Sequence, residues 1–187
     1  MELSDEFRRF RDWAIRGEHH SAEWESDYPD WSSFQDAFFS FLNETDSADW
    51  NAQDWHDVLY AVARDNEGVN LIQRVSEDKN LLIKLARKAV NSEEKDAKWQ
   101  IAQYLGDVAE LEAAEPILLL LVEDADEYVR RRSLQALSVI GSKETERHAI
   151  LAWETDQLYP RIGAIRALIP RSLQNPKLLV CNDAEVV

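Results

Sequence analysis

The residues best suited to chemistry lie close together near position 20. Glu18, His19 and His20 are followed by Glu23, and imidazole and carboxylate groups are common ligands of zinc and similar metals. Neighbouring residues on a connecting segment rarely hold the rigid geometry that a metal needs. The two remaining histidines, His56 and His148, are isolated in sequence. We therefore expect neither a metal ion nor another cofactor.

Other catalytic signals are weak. The sequence contains no nucleophile motif, no phosphate-binding glycine loop and no Cys-x-x-Cys pair. Its single cysteine, Cys181, is near a polar C-terminal stretch and cannot form an intrachain disulfide. This cysteine usage, and a beginning without signal-peptide regions, favour a cytoplasmic location. The longest apolar run, Ile117 to Val122, is too short to cross a membrane. These features favour a non-enzymatic protein.

Charge is strongly segregated in the first third of the chain. Residues 17–63 contain eleven acids and no lysine or arginine, and the whole chain has a formal net charge of −15. Large aromatic residues are interleaved with these acids, a combination typical of surfaces that bind basic proteins. The alternative is a helical cap with a solvated acidic face and an aromatic core. For Trp31 and Trp55 we favour the core, whereas the alternatives stay open for Trp24 and Tyr28. The candidate partner-binding residues here are Trp24, Asp27, Tyr28, Asp30 and Asp36.

Helical periodicity runs through this acidic region. Phe7, Phe10 and Trp13 share one face of a first predicted helix, and a second predicted helix begins at Trp31. Residues 18–30 are predicted to be an irregular connection. Asn51 is positioned to cap a third helix. Glycine and proline are scarce, with five of each, and this argues against an all-β fold.

From residue 81 onward the pattern repeats. A shift of 32 residues places Leu105 on Leu137, and a shift of 31 residues places Leu137 on Leu168. Three units of two short helices each indicate a helical solenoid, in which every unit buries its apolar face against a neighbour. Pro116 is predicted in the first turn of a helix, and Gly106 and Gly141 are predicted to follow helix ends.

The segment from Asp124 to Leu137 resembles the repeat core of HEAT proteins, in particular the short HEAT-like units of phycobilisome lyases. The matching features are an acidic turn, then Val129-Arg130, then Ala136-Leu137. The resemblance covers roughly residues 80–170 and implies a stack of helix pairs. It also implies a ladder of acid–base pairs, which Asp124 and Arg130 would join and to which Asp156 could contribute an acid.

In that family the second helix of each pair lines a concave face. Projection of the helix that begins near Glu127 places Arg131 and Gln135 opposite the core. The candidate contact residues on this face are Trp99, Gln103, Arg131, Gln135 and Arg166. An exposed Trp99 beside Arg131 would be typical of an interface.

The sequence thus predicts one all-α domain: an aromatic, acidic N-terminal cap (1–79), three HEAT-like helix pairs (80–170) and a tail (171–187). The expected function is binding of a basic protein partner, as an adaptor or as an immunity-type inhibitor of a toxin or nuclease. The resemblance leaves open a lyase or chaperone that acts on a chromophore-bearing protein. The negative charge argues against direct binding of nucleic acid or of an anionic membrane.

Overall fold

The computed structural model describes residues 3–16 and 23–169, and within these ranges the regular secondary structure is entirely helical. The helices are α1 (Leu3–Ile15), α2 (Trp24–Asp27), α3 (Trp31–Glu44), α4 (Ala52–Arg64), α5 (Asn70–Ser76), α6 (Lys79–Ala89), α7 (Lys95–Val108), α8 (Leu111–Leu121), α9 (Glu127–Val139), α10 (Thr145–Glu154) and α11 (Leu158–Leu168). The predicted all-α class is confirmed. No helix in the described ranges is both long and apolar enough to cross a membrane.

The chain divides into two compact units, Met1–Tyr104 (unit 1) and Leu105–Val187 (unit 2). The division falls inside α7, which belongs to the first predicted helix pair. In unit 1, α1 packs on α3, and α4, α5 and α6 pack on one another. In unit 2, α9 packs on α8, α10 and α11. Each unit has its own buried apolar core.

The helices of unit 1 begin and bury their faces as the sequence pattern predicts. Asn51 caps α4: its Oδ1 accepts hydrogen bonds from the backbone N–H groups of Gln53 (2.7 Å) and Asp54 (3.2 Å). The Asp54 carboxylate in turn accepts a hydrogen bond from the backbone N–H of Asn51. The two reciprocal bonds form a capping box. Phe7 and Phe10 are fully buried, as expected from their shared helical face. The connection before α3 is not wholly irregular, because α2 lies within it.

Two predicted helix boundaries in the repeat region are wrong. Pro116 is not in a first turn but lies inside α8, which begins at Leu111. An internal proline removes one backbone hydrogen bond, and the burial of Ile117, Leu118 and Leu121 offsets that cost. Gly106 does not follow a helix end but lies within α7. A Cβ at this position would lie 3.0 Å from the Cα and Cβ of Ala136, so the glycine permits a close approach of α7 and α9.

The prediction that Gly141 follows a helix end is confirmed, because it comes after α9 and has a φ of +74°. The next N–H, that of Ser142, bonds to the Leu137 carbonyl at 3.0 Å, and the Gly141 N–H bonds to the Ser138 carbonyl at 3.2 Å. These two bonds form a Schellman motif. Gly141 occupies the position of that motif whose backbone is left-handed, a conformation that glycine adopts without steric cost.

Candidate partner-binding surfaces

The acids of residues 23–63 divide into a structural group and an exposed group. Asp54 caps α4, and the buried Asp57 accepts a hydrogen bond at 2.5 Å from the Arg11 guanidinium. Asp30 and Asp36 are exposed, and Asp27 is partly exposed. The exposed acids of residues 23–63 are Glu23, Asp30, Asp36, Glu44, Asp46 and Asp49. Of the five candidate residues in this segment, the three aspartates are therefore accessible to a partner.

The aromatic residues of unit 1 pack largely on one another. The Phe10 ring centroid lies 5.1 Å from that of Tyr28 and 5.0 Å from that of Phe34, with Trp24 and Trp31 at 6.0 and 6.1 Å. Only 5% of Tyr28 is exposed, and burial, with the negative charge of Asp30, raises the pKa of its hydroxyl. For Tyr28 the structure favours the core alternative. Trp55 is buried as predicted, and Trp31 is partly buried.

Trp24 lies between the core and solvent, on the short helix α2. The Arg64 guanidinium lies 5.5 Å from its ring centroid and 4.1 Å from that of Tyr60. The same guanidinium forms an ion pair of 2.6 Å with Glu94. Trp24 is therefore held from both sides, by the aromatic core and by an arginine that is itself anchored.

A pair of carboxyl groups holds α2 against the turn between α4 and α5, and nothing in the sequence spacing predicts it. Glu25 Oε1 accepts hydrogen bonds from the backbone N–H groups of Glu67 (2.8 Å) and Gly68 (3.2 Å). Asp65, fully buried, accepts a bond of 2.5 Å from the Leu71 N–H through Oδ2. The other oxygens, Glu25 Oε2 and Asp65 Oδ1, are buried and have no donor among the described groups.

A proton on Asp65 would supply the missing donor. Burial raises the pKa of Asp65 to about 7, and both the charge of Glu25 and its side-chain hydrogen bond with Asp65 add to the shift. Below this pH Asp65 is protonated and can donate a hydrogen bond to Glu25, whose negative charge favours that proton. The two backbone bonds of Glu25 hold α2, which carries Trp24 and Asp27, and a protonated Asp65 adds a further contact to the same carboxyl group.

On the predicted concave face, the expectation of an exposed Trp99 is wrong. Only 9% of Trp99 is accessible, and its indole N–H donates to Asp96 at 3.3 Å. A helical tryptophan with this much apolar area is buried when neighbouring helices can cover it. Gln103, one turn further along α7, is partly exposed. Trp99 and Gln103 belong to unit 1.

The three candidates of unit 2 differ in their surroundings. Arg131 is mostly buried: its Nε donates to Glu127 at 2.9 Å, and its guanidinium lies 4.7 Å and 5.4 Å from the rings of Tyr128 and Tyr159. Gln135 is partly exposed, with a buried Nε2. Arg166 is exposed on α11. Arg131 thus braces α9 against α11, and Arg166 is the more accessible cation.

Arg130 contacts Asp124, its predicted ladder partner, through the backbone. Arg130 Nη1 donates to the backbone carbonyls of Asp124 and Ala125, each at 2.7 Å, and so stabilises the turn before α9. Arg161 forms an ion pair of 2.6 Å with Asp156, the alternative acid that the sequence offered. The acidic turn residue and the following arginine therefore interact through the backbone in one pair and through side chains in the next.

A cleft of about 260 Å³ opens between α9, α10 and α11 within unit 2. Its apolar wall includes Val122, Leu134, Leu151 and Pro160, and its polar residues include Arg131 and His148. Burial, and then the charge of Arg147, lower the pKa of His148. The nearby hydroxyl of Thr155 donates to the Ala152 carbonyl at 2.7 Å rather than to a base. Glu123, Glu127 and Arg130 also line the cleft, so apolar and charged side chains share its surface.

Sequence reasoning missed an exposed apolar surface on the last two helices. Its largest exposed members are Ile150, Leu151, Trp153, Leu158, Tyr159, Ile165 and Leu168. The repeat shift carried a signal for it, because it places Leu168 on Leu137, and matching positions of a solenoid are buried only where a neighbouring unit covers them.

Several expectations lie outside the described residues, among them His19, His20 and Cys181. Among residues that are described, no group of three or more histidine, cysteine or acidic side chains is arranged to hold a metal ion.

The fold class is therefore all-helical, and the candidate surfaces are a set of exposed acids in unit 1 and an apolar face in unit 2. No protein-family model matches the chain, and no curated protein or solved structure gives a significant match.

Proposed function

We propose that this chain is a non-enzymatic protein-binding module whose basic partner meets the exposed acids of unit 1. One observation carries the proposal: residues 17–63 contain no lysine or arginine, while Asp30, Asp36 and other acids of this segment are exposed. Cations of other segments reach this one only at a few points, such as Lys84 at Ser47 and Arg74 at Asn43. A surface with such an excess of acids steers a basic protein over the screening distance of roughly 8 to 10 Å at ordinary salt. Since Tyr28 is packed inside, charge supplies the recognition here more than rings do.

The HEAT-type stack is part of the same proposal. The second helices of the three pairs begin at Lys95, Glu127 and Leu158, which are 32 and 31 residues apart and agree with the sequence repeat. Helix pairs of this length, each with one apolar face, are stabilised by stacking on their neighbours. In the sharpest form of the proposal, the module is an immunity-type inhibitor that covers the basic active site of a toxin such as a nuclease.

The test uses two triple variants with equal charge changes. Asp27→Asn, Asp30→Asn and Asp36→Asn remove three charges from unit 1, whereas Glu112→Gln, Glu146→Gln and Glu154→Gln remove three exposed charges from unit 2. A partner is first captured from a lysate of the source cells with the unmodified chain and identified by mass spectrometry. Association rates of that purified partner are then measured by stopped flow across a salt series.

The asparagine variant should associate more slowly and with a shallower salt dependence, with a smaller change in dissociation. The glutamine variant should keep the unmodified rate. Equal slowing in both variants, or an acidic partner, would contradict the proposal. Covalent attachment of a bilin to an added phycobiliprotein apoprotein would favour the lyase alternative instead.

A further inference from the structure

The outer side of the last helix pair carries large apolar side chains in solvent. Leu158, Ile165 and Leu168 project from α11, and Trp153 projects from α10. We call these four residues the end face. A single exposed leucine needs no explanation, but several large apolar residues on adjacent helices indicate a binding surface.

The repeat register shows what kind of surface this is. A shift of 31 residues places Val122 on Trp153, Leu134 on Ile165 and Leu137 on Leu168. The exposed fractions are 8%, 2% and 0% in the earlier pair, against 48%, 48% and 52% in the last pair. The same positions are thus buried in one pair and open in the next.

The cover over the earlier pair is visible within unit 2. Val122 and Leu134 line the cleft together with Leu151 of α10 and Pro160 of α11, and α9 packs against both of these helices. The following pair therefore covers these positions with helices. The end face repeats the covered surface at its next register position, but no further helix lies over it in the described part of unit 2. Terminal units of repeat stacks normally have a polar outer side instead.

We propose that the end face docks an amphipathic helix of another protein. This inference rests on the proposed function as a protein-binding module, but it concerns a different surface from the exposed acids of unit 1. A helix is the occupant that continues the interface already formed one register earlier. The last helix pair favours neither charge on that helix, because residues 145–168 contain three acids and three cations, so the apolar stripe of the helix carries the recognition. A second copy fits less well, since each chain has a net charge of −15.

The probe is a synthetic peptide of about 18 residues made of leucine and lysine, with leucine at helical i, i+3, i+4 and i+7 spacing. A scrambled peptide of identical composition, without the apolar stripe, controls for charge. Ile165→Gln with Leu168→Gln removes two apolar side chains of the end face without altering charge. Leu120→Gln with Ile15→Gln is the matched control, because both residues are exposed elsewhere.

Fluorescence anisotropy of the labelled peptides gives their affinities. We expect the scrambled peptide, and the end-face variant with the ordered peptide, each to bind about tenfold more weakly or worse. The control variant should match the unmodified chain, and circular dichroism should show the same helix content in all three proteins.

Three outcomes would overturn the inference. Equal binding of both peptides would mean that charge alone attracts them. Concentration-dependent dimerisation in sedimentation velocity, lost in the end-face variant, would make a second copy the occupant. Tighter peptide binding by a Leu178→Gln, Leu179→Gln variant would mean that residues 170–187 of the same chain cover the face. None of these outcomes bears on the unit 1 triple variant, so the two proposals fail separately.

Discussion

The side chain of Arg131 on α9 lies directly against Gly163 on α11. A Cβ built at Gly163 would come within 2.8 Å of Arg131 Cγ and within 3.2 Å of its Cδ. The guanidinium continues to the ring of Tyr159, 5.4 Å away, while Nε is paired with Glu127. Arg131 therefore packs against Gly163, pairs with Glu127 and stacks on Tyr159. The missing side chain of Gly163 provides the space that the arginine side chain occupies.

This contact predicts that Gly163→Ala destabilises unit 2 by about 1 to 3 kcal/mol, the usual range for overpacking. The intrinsic preference of helices for alanine would act in the opposite direction by about 1 kcal/mol. Urea unfolding followed by circular dichroism measures the change. In an Arg131→Ala background the same substitution should be neutral or stabilising. A destabilisation of the same size in both backgrounds would mean that Arg131 is not the obstacle.

Leu137 is fully buried in unit 2 and tests the helix-pair register. Leu137→Ala should lower the free energy of unfolding by about 2 to 5 kcal/mol, because it removes a packed side chain and leaves a cavity. Leu168→Ala, at the matching exposed position, should cost much less. A loss of under about half a kcal/mol for Leu137→Ala would show that the register is misassigned.

The Asp65–Glu25 pair predicts a pH dependence of stability. The pKa of Asp65 is raised from 3.8 to about 7 in the folded chain, so folding favours its protonated form. This contribution is complete below the ordinary pKa and is lost as the pH rises through about 7. Asp65→Asn is neutral at every pH, and its amide can donate to Glu25. It should therefore flatten the decline in stability between about pH 5 and pH 8.

Thermal unfolding at a series of pH values measures this effect. Asp36→Asn, at an exposed acid, should keep the pH dependence of the unmodified chain. If Asp65→Asn also keeps it, another group causes the decline. A change in tryptophan emission at high pH that is absent both in Asp65→Asn and in Trp24→Phe would locate the loosening at α2.

Two substitutions of Tyr28 distinguish a structural role of this residue from a role in partner binding. Because its ring packs against Phe10 and Trp13, with centroids 5.1 and 5.0 Å apart, Tyr28→Ala should cost about 3 to 5 kcal/mol of stability. Tyr28→Phe keeps the ring and should cost far less. Binding of the identified partner to the folded fraction should be nearly unchanged in Tyr28→Phe. Faster dissociation in that variant would mean that the hydroxyl contacts the partner.

The helices were predictable because apolar spacing and caps act over a few residues. Asn51, with Asp54 three positions later, carries a complete local signal for the start of α4. The boundaries at Gly106 and Pro116 were not predictable from the same signals. Gly106 is a glycine because of Ala136 on another helix, and Pro116 is tolerated because tertiary packing outweighs one lost hydrogen bond.

The exposure of the candidate acids was predictable from the sequence, whereas the helices that pack against the other candidate residues were not. The exposure of Asp30 and Asp36 follows from the general cost of burying a carboxylate. Trp99 and Arg131 required knowledge of which helices cover them, and a single helical projection does not contain that information. The Glu25–Asp65 pair joins residues forty positions apart with no periodic relationship, so only the folded chain brings it together.

The packing of the aromatic residues also determines what optical spectroscopy can observe. Six of the seven tryptophans belong to unit 1, and Trp50 and Trp55 have ring centroids 4.6 Å apart. Indoles at that distance couple electronically and give signals in the near-ultraviolet circular dichroism spectrum. Unit 2 has Trp153 alone, which is already half exposed when folded. Intrinsic emission will therefore follow the melting of unit 1 and scarcely register that of unit 2, so two probes that disagree would reveal independent unfolding of the units.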